Sequence, residues 1–197
     1  MTVTDGPALR SGTSADADAV LVERARDGDA AAFGELVMRY RDLAIRVARV
    51  AAPAGDLEDA VQEAFVKAWF ALPRFRTGAP FRPWLCRIVA NEAKNRTRSA
   101  RRREALTLRA AARPDDRSRG APTSPEDVAL ARDEAEALVR AMNDLKGEDR
   151  LVIAYRWLFD LSESEMAEAL DVPIGTVKSR LSRAMTKLRT RLVEEGS

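Results

Sequence analysis

LSESEMAEALDVPIGTVKSRLSR, residues 161–183, decides the fold. It reads as two short helices with a tight turn between them. Ser162 and Glu165, three residues apart, form a capping box that starts the first helix. Met166, Ala167 and Leu170 recur along it at helical spacing. Leu170, Asp171 and Val172 make the turn. Pro173 suits the first position of the second helix, where no backbone donor is needed.

The second helix extends to about Val193. Val177, Leu181, Ala184, Met185, Leu188 and Leu192 fall on one stripe, while Ser179, Ser182, Arg183, Thr186 and Thr190 face away, flanked by Lys178 and Arg180. Between Pro173 and Val193 stand six basic residues and no acidic one. A buried stripe, an uncompensated basic face and small hydroxyls near the start suit a helix lying in the DNA major groove. There Arg and Lys reach phosphates and guanine edges, and Ser and Thr adapt to either. Thr176, Lys178, Ser179, Arg180, Ser182 and Arg183 are the candidate contacts. A solvated basic helix in a bundle is the alternative, which the capped partner helix and tight turn disfavour.

Composition bounds the rest. The chain has 197 residues, 46% hydrophobic and 32% charged, with a net charge of +2. That is room for one domain or two small ones. Charge is local: Trp84 to Arg119 carries eleven basic residues against four acidic, and 28 of the 33 basic residues are arginine, suited to bidentate contacts. One cysteine excludes an internal disulfide and a cysteine-cluster metal site. The lack of histidine excludes His-based triads and His-ligated metals. No apolar run approaches the roughly 20 residues of a membrane span. No apolar leader opens the chain, so a cytoplasmic location is expected.

Taken in order, residues 1–14 read as disordered. A short helix from Asp16 ends near Gly28. A longer one is capped by Asp29, with Phe33, Leu36, Val37, Tyr40, Leu43, Ala44 and Val47 inward, and is broken by Pro53 and Gly55. Asp56 caps LEDAVQEAFVKAWFAL, which Pro73 closes. The loop RFRTGAPFRP follows, then a helix running into Arg101–Arg103. Residues 105–124 lose periodicity and read as a linker. Helices resume near Pro125, with Val128, Ala131, Ala135, Leu138, Val139 and Met142 as a stripe, and GEDRLVIAYRWLF precedes the opening motif. No strand-like alternation appears. The expected class is all-α, two small helical domains (15–104 and 125–197) joined by a flexible linker, the C-terminal one a helix-turn-helix.

Two N-terminal stretches carry further chemistry. On the helix from Leu57 to Leu72 the buried stripe is Leu57, Val61, Ala64, Phe65, Ala68 and Leu72, with Trp69 at its border. The opposite side carries Asp59, Gln62, Glu63, Val66, Lys67 and Phe70. Two apolar side chains within a polar face point to a partner surface, or to two exposed apolars by chance. In FRTGAPFRPWLCRIVANEAKNRTRSARRR, Phe75, Phe81 and Trp84 cluster about a Gly/Pro loop. Arg82, Arg87, Asn91, Lys94, Asn95, Arg96 and Arg98 follow. Aromatics interleaved with cations suit single-stranded DNA, with rings or a pocket for unstacked bases and cations for the backbone. Trp84, Leu85 and Ile88 also fit a core stripe. Cys86 reads as a helix residue without redox role.

These motifs, in this order, resemble the extracytoplasmic-function branch of the bacterial RNA polymerase sigma-70 family. The helix-turn-helix alone resembles response-regulator effectors too; the paired blocks single out the sigma factors. The resemblance covers about Val20 to Arg103 and Pro125 to Leu192. It implies a dissociable initiation factor without catalytic activity or cofactor. Asp59, Gln62, Glu63, Val66 and Phe70 would dock on the clamp helices of the largest polymerase subunit, and the C-terminal domain would meet the flap of the second. Phe75, Phe81, Trp84, Arg87, Asn91, Lys94, Asn95 and Arg98 would melt and read the minus-ten element. The loop from Phe75 to Pro83 would hold a flipped base, with Asn91 reading bases beside it. The last helix would read the minus-thirty-five element. The family often adds an anti-sigma protein as partner. The runner-up from another class is a free-standing helix-turn-helix regulator that binds operator DNA without polymerase.

Overall fold

The computed structural model describes residues 11–53, 55–108 and 136–195. All regular structure among these is helical: α1 (Ser11–Arg26), α2 (Ala30–Ala51), α3 (Leu57–Ala71), a 3-10 turn (Leu72–Arg74), α4 (Phe81–Leu108), α5 (136–144 of the described residues), α6 (Gly147–Trp157), α7 (Glu163–Leu170) and α8 (Ile174–Glu195). Helix α1 starts at Ser11, inside the stretch expected to be disordered. Ala15, Ala17 and Ala19 supply the helix propensity that the Gly/Ser/Thr content masked. Helix α4 runs to Leu108, past the expected linker boundary at residue 105. The rest of that linker, and Val128, Ala131 and Ala135, lie outside the described residues.

Local chemistry sets the helix starts. Gly28 ends α1 at φ +95°, a conformation open to glycine and costly for side chains. Asp29 then caps α2, accepting from the amides of Ala31 (2.9 Å) and Ala32 (3.1 Å). The Ala32 amide, with Arg24 beside it, holds this carboxyl below its ordinary pKa. Asp56 caps α3 through the Asp59 amide at 3.3 Å.

Helix α2 is the core of the N-terminal half. Its Leu36, Ala44, Val47 and Ala48 are essentially inaccessible to solvent and meet α1, α3 and α4. Asp18, nearly buried on α1, accepts hydrogen bonds from Tyr40 and Arg39 of α2. Burial and that carboxylate push the Tyr40 hydroxyl well above its ordinary pKa. In the C-terminal half, Leu151, Val152 and Tyr155 of α6, Met166 of α7 and Val177 and Ala184 of α8 close a second set of contacts. The expected α5 stripe is rotated: Leu138 and Val139 are 44% and 59% exposed, whereas Ala141 and Leu145 are buried. Met142 of the same stripe does pack against the core.

The two domains also touch one another. α4 packs against α7 and α2 against α6, and one buried cluster runs from Leu21 to Leu188. Arg150, buried on α6, donates to the carbonyls of Val50, Asn143 and Leu145, so one guanidinium ties the end of α2 to the α5–α6 turn.

Leu36→Ala removes a side chain with no exposed surface. Its expected cost is about 2–5 kcal/mol of stability, read as a lowered urea midpoint with unchanged m-value.

Candidate nucleic-acid interface

The helix-turn-helix forms as its sequence dictates. The Ser162 hydroxyl accepts from the Glu165 amide at 3.3 Å, and the Glu165 carboxylate accepts from the Ser162 amide at 2.8 Å. Asp171 ends α7 in the left-handed region (φ 56°), which Asp tolerates better than most side chains. The Pro173 carbonyl accepts from the amides of Thr176 and Val177, and α8 runs on to Glu195. Val177, Ala184 and Leu188 are buried, with Leu181, Met185 and Leu192 packed at the edge of the core.

Lys178, Ser179, Ser182 and Arg183 are exposed, while Thr176 and Arg180 are half-buried. The basic face is not uncompensated as expected. Lys178 pairs with Glu163 (3.3 Å), Arg180 with Glu148 (3.7 Å) and Lys187 with Asp149 (2.5 Å). The acids come from α6 and α7, and nothing in the α8 sequence announces them. The outward row that remains is Ser179, Ser182, Arg183, Thr186 and Arg189, and neither arginine has an ion-pair partner among the described residues. Ser179 and Thr186 donate to carbonyls of their own helix at 3.1 Å, leaving oxygen lone pairs facing out.

A second polar row runs along α4. Arg87, Asn91, Lys94, Asn95 and Arg98 recur at helical spacing; Asn91, Asn95 and Arg98 are exposed, Arg87 and Lys94 half-buried. Burial lowers the pKa of Lys94, an effect opposed by Glu148. Arg87 meets Asp171 at 3.2 Å. The expected aromatics sit elsewhere: Phe75, Phe81 and Trp84 are 5%, 4% and 7% exposed. Their rings pack on one another, Phe75–Trp84 at 4.8 Å and Phe81–Trp84 at 5.5 Å, with Tyr40–Phe81 at 5.4 Å. In this conformation they are core, and they hold the 76–80 loop against the start of α4. Cys86 is buried, which raises its thiol pKa to about 12.

The third feature is a groove of about 650 Å³ between α2 and α3. Gln62, Val66 and Phe70 line it, Val66 44% and Phe70 76% exposed. Phe33, Val37, Arg41 and Ile45 of α2 form the opposite wall, a contribution that only packing brings to α3. Asp59 and Glu63 belong to the adjacent row instead: Asp59 meets Arg96 of α4 at 2.5 Å and Glu63 meets Lys67 at 3.8 Å. Among the described residues no cluster of acidic or cysteine side chains could hold a metal ion.

Comparison with known proteins fits these features. Residues 36–103 match the family model "Sigma-70 region 2" and residues 135–188 match "Sigma-70, region 4". The chain is 39% identical over 171 residues to the ECF RNA polymerase sigma-E factor of Escherichia coli K12, covering 85% of this chain and 90% of that protein. It is 33% identical over 180 residues to the protein of that name in Haemophilus influenzae, covering 89% and 95%. Among solved structures, CnrH in complex with the cytosolic domain of CnrY superposes with a TM-score of 0.66 at 30% identity, covering 92% of this chain and all of that one. The sigma factor RpoE of Bartonella quintana, bound to the anti-sigma factor NepR, gives 0.61 at 25% identity, covering 81% and 96%.

Helix α7 is only eight residues long, so its cap matters. Ser162→Ala should cost about 1 kcal/mol in denaturant unfolding, without touching the outward row of α8.

Proposed function

The chain belongs to the sigma-70 family, in its extracytoplasmic-function branch, and directs RNA polymerase to specific promoters; from that membership we propose which surfaces do the work. The observation that carries the assignment is the exposed row Ser179, Ser182, Arg183, Thr186 and Arg189, set on a capped helix-turn-helix. This row, with Thr176, Lys178 and Arg180 beside it, enters the major groove of the minus-thirty-five element. The two unpaired arginines are the strongest candidates for guanine edges. Lys178 and Arg180 exchange surface ion pairs, each worth about 0–1 kcal/mol, for phosphate contacts at little cost.

The α4 row of Arg87, Asn91, Lys94, Asn95 and Arg98 takes the non-template strand of the minus-ten element. The buried rings of Phe75, Phe81 and Trp84 support the loop from Phe75 to Pro83, so a flipped base is received by a loop they brace and not stacked on them as they stand. The α2–α3 groove, with Gln62, Val66 and Phe70, docks on the clamp helices of the largest subunit. Asp59 and Glu63 border it, and the C-terminal domain meets the flap of the second subunit. An anti-sigma protein is a further proposed partner, by analogy with the RpoE–NepR complex. The factor brings no catalysis or cofactor of its own and works beside the polymerase in the cytoplasm; no described helix is long and apolar enough to cross a membrane. Held on one enzyme, the two readers act through effective concentration, and each can be weak alone.

Run-off transcription with core polymerase over a random promoter library tests the whole reading; transcripts independent of the factor would overturn it. Phe70→Asp should abolish pull-down with core polymerase at unchanged helicity, because it places a charge at the centre of an apolar dock. Arg183→Ala should weaken initiation from promoters bearing the upstream element by about 1–3 kcal/mol, while leaving core binding intact.

A further inference from the structure

Lys94, Arg98 and Arg102 recur every four residues on α4, so they share one side of it and are strung over about 12 Å. They line a cleft of about 780 Å³, which the end of α2 and the α5–α6 turn complete. That is the size of a small-molecule site. With Arg150 of α6, four basic side chains line the cleft and no acidic one does. Lys94, Arg98 and Arg102 have no ion-pair partner among the described residues.

Other cations of the N-terminal half are matched by acids: Arg87 by Asp171, Arg96 by Asp59 and Lys67 by Glu92. Here positive charge is gathered without a counterpart. Burial lowers the Lys94 pKa, and the nearby Arg98 adds to the effect; Glu148, which opposes it, is itself paired with Arg180 of α8. Further groups at the cleft stand open to an acceptor. The Thr97 hydroxyl is buried and has no hydrogen-bond partner among the described residues. Arg150 spends Nε and Nη1 on backbone carbonyls and keeps Nη2 on the side of Gly147. Lys146, the N-cap of α6, supplies no side-chain acceptor, so the first amides of that helix are left for another oxygen.

We propose that this cleft binds an oligophosphate anion, inorganic or nucleotide-borne, with its phosphates between the α4 cations and the start of α6. A chain of phosphates fits better than a single ion. It can follow the three cations along α4 and still set an oxygen on the helix start, whereas one orthophosphate reaches only part of the set. Oligophosphates also carry the several negative charges that four unmatched cations call for. Lys94 and Arg98 belong as well to the face proposed for single-stranded DNA. Thr97, Arg102, Arg150 and the start of α6 do not, so the site stands whether or not that face reads DNA.

Isothermal titration calorimetry on the full-length chain, at physiological salt and without magnesium, tests this with sodium tripolyphosphate, ATP and orthophosphate as probes. A raised Tm is the second readout of binding. Tripolyphosphate should saturate at one per chain, with orthophosphate roughly 10-fold or more weaker, since it forgoes at least one charge-assisted hydrogen bond. Arg102→Gln should weaken tripolyphosphate by a similar factor. Arg156→Gln, which removes one exposed charge from the last turn of α6, should leave its affinity unchanged. Gly147→Asp decides whether α6 takes part. A Cβ at 147 meets the Ala51 carbonyl at an ordinary 3.6 Å, and an acid suits the first turn of a helix, so the fold should tolerate it. Its carboxylate should weaken tripolyphosphate roughly 10-fold or more, while Gly147→Ala binds as the wild type does. Circular dichroism checks both; should Gly147→Asp unfold, Asn143→Asp, exposed on the same wall, repeats the test. ATP at least as tight as tripolyphosphate supports a nucleotide as the source, and much weaker ATP supports an inorganic chain. Absence of binding by both readouts, equal losses in Arg102→Gln and Arg156→Gln, or undiminished affinity in a folded acidic variant would overturn the proposal. None of these measurements involves promoter or polymerase, so they stand apart from the functional assignment.

Discussion

Helix α4 is confined from both sides, and the rest of the molecule follows from that confinement. It packs on α2 and α3 through one side and receives α7 and α6 on another. Cys86, Ala90 and Ala93 are small enough for neighbours to approach closely, while Leu85 and Val89 fill the interior. Glu92, 6% exposed, is tolerated in so apolar a setting because Lys67 of α3 donates to its carboxylate. A buried carboxylate without such a partner would be strongly destabilising. In the stretch of α4 that these neighbours flank, Asn91 and Asn95 remain exposed. The single-strand face proposed for α4 lies where this packing leaves the helix uncovered.

The aromatic cluster illustrates how stability and function share residues. Phe75, Phe81, Trp84 and Tyr40 enclose one another before any base arrives. On the reading proposed above, a loop that accepts an extruded base benefits from rigid walls, since unstacking already costs a few kcal/mol. The buried rings that brace the loop supply that rigidity. The interleaving of aromatics and cations in this segment is therefore two layers, rings inside and cations outside, and not one mixed binding surface.

Charge shows a similar layering. The last helix is basic throughout its first five turns, yet three of its cations rest on acids of α6 and α7. Those acids hold long side chains in place at the surface and narrow the outward positive field to Arg183 and Arg189. Of the three, the Lys178–Glu163 pair is the one with both partners well exposed, and so the most screened. The same acidic helix α7 faces the cations of the N-terminal half, so one short element meets basic partners on two sides.

Much of this was legible in the chain itself. The capping box at Ser162, the turn at Asp171, the apolar stripes of α2, α3 and α8 and the outward placement of Val66 and Phe70 all follow from periodicity and local hydrogen bonding, which act over three or four residues. The family was legible as well, because its two blocks are contiguous motifs. The rotation of α5 away from Leu138 and Val139 and the burial of Phe75 and Phe81 were not, since each depends on which neighbour arrives to cover a side chain. The α2 wall of the α2–α3 groove, the acids that neutralise Lys178, Arg180 and Lys187, and the contact that joins Arg87 to Asp171 bring together residues from 15 to 84 positions apart. Spacing along one helix dictates what that helix can present, but only the packing of helix on helix decides which of those faces remains open.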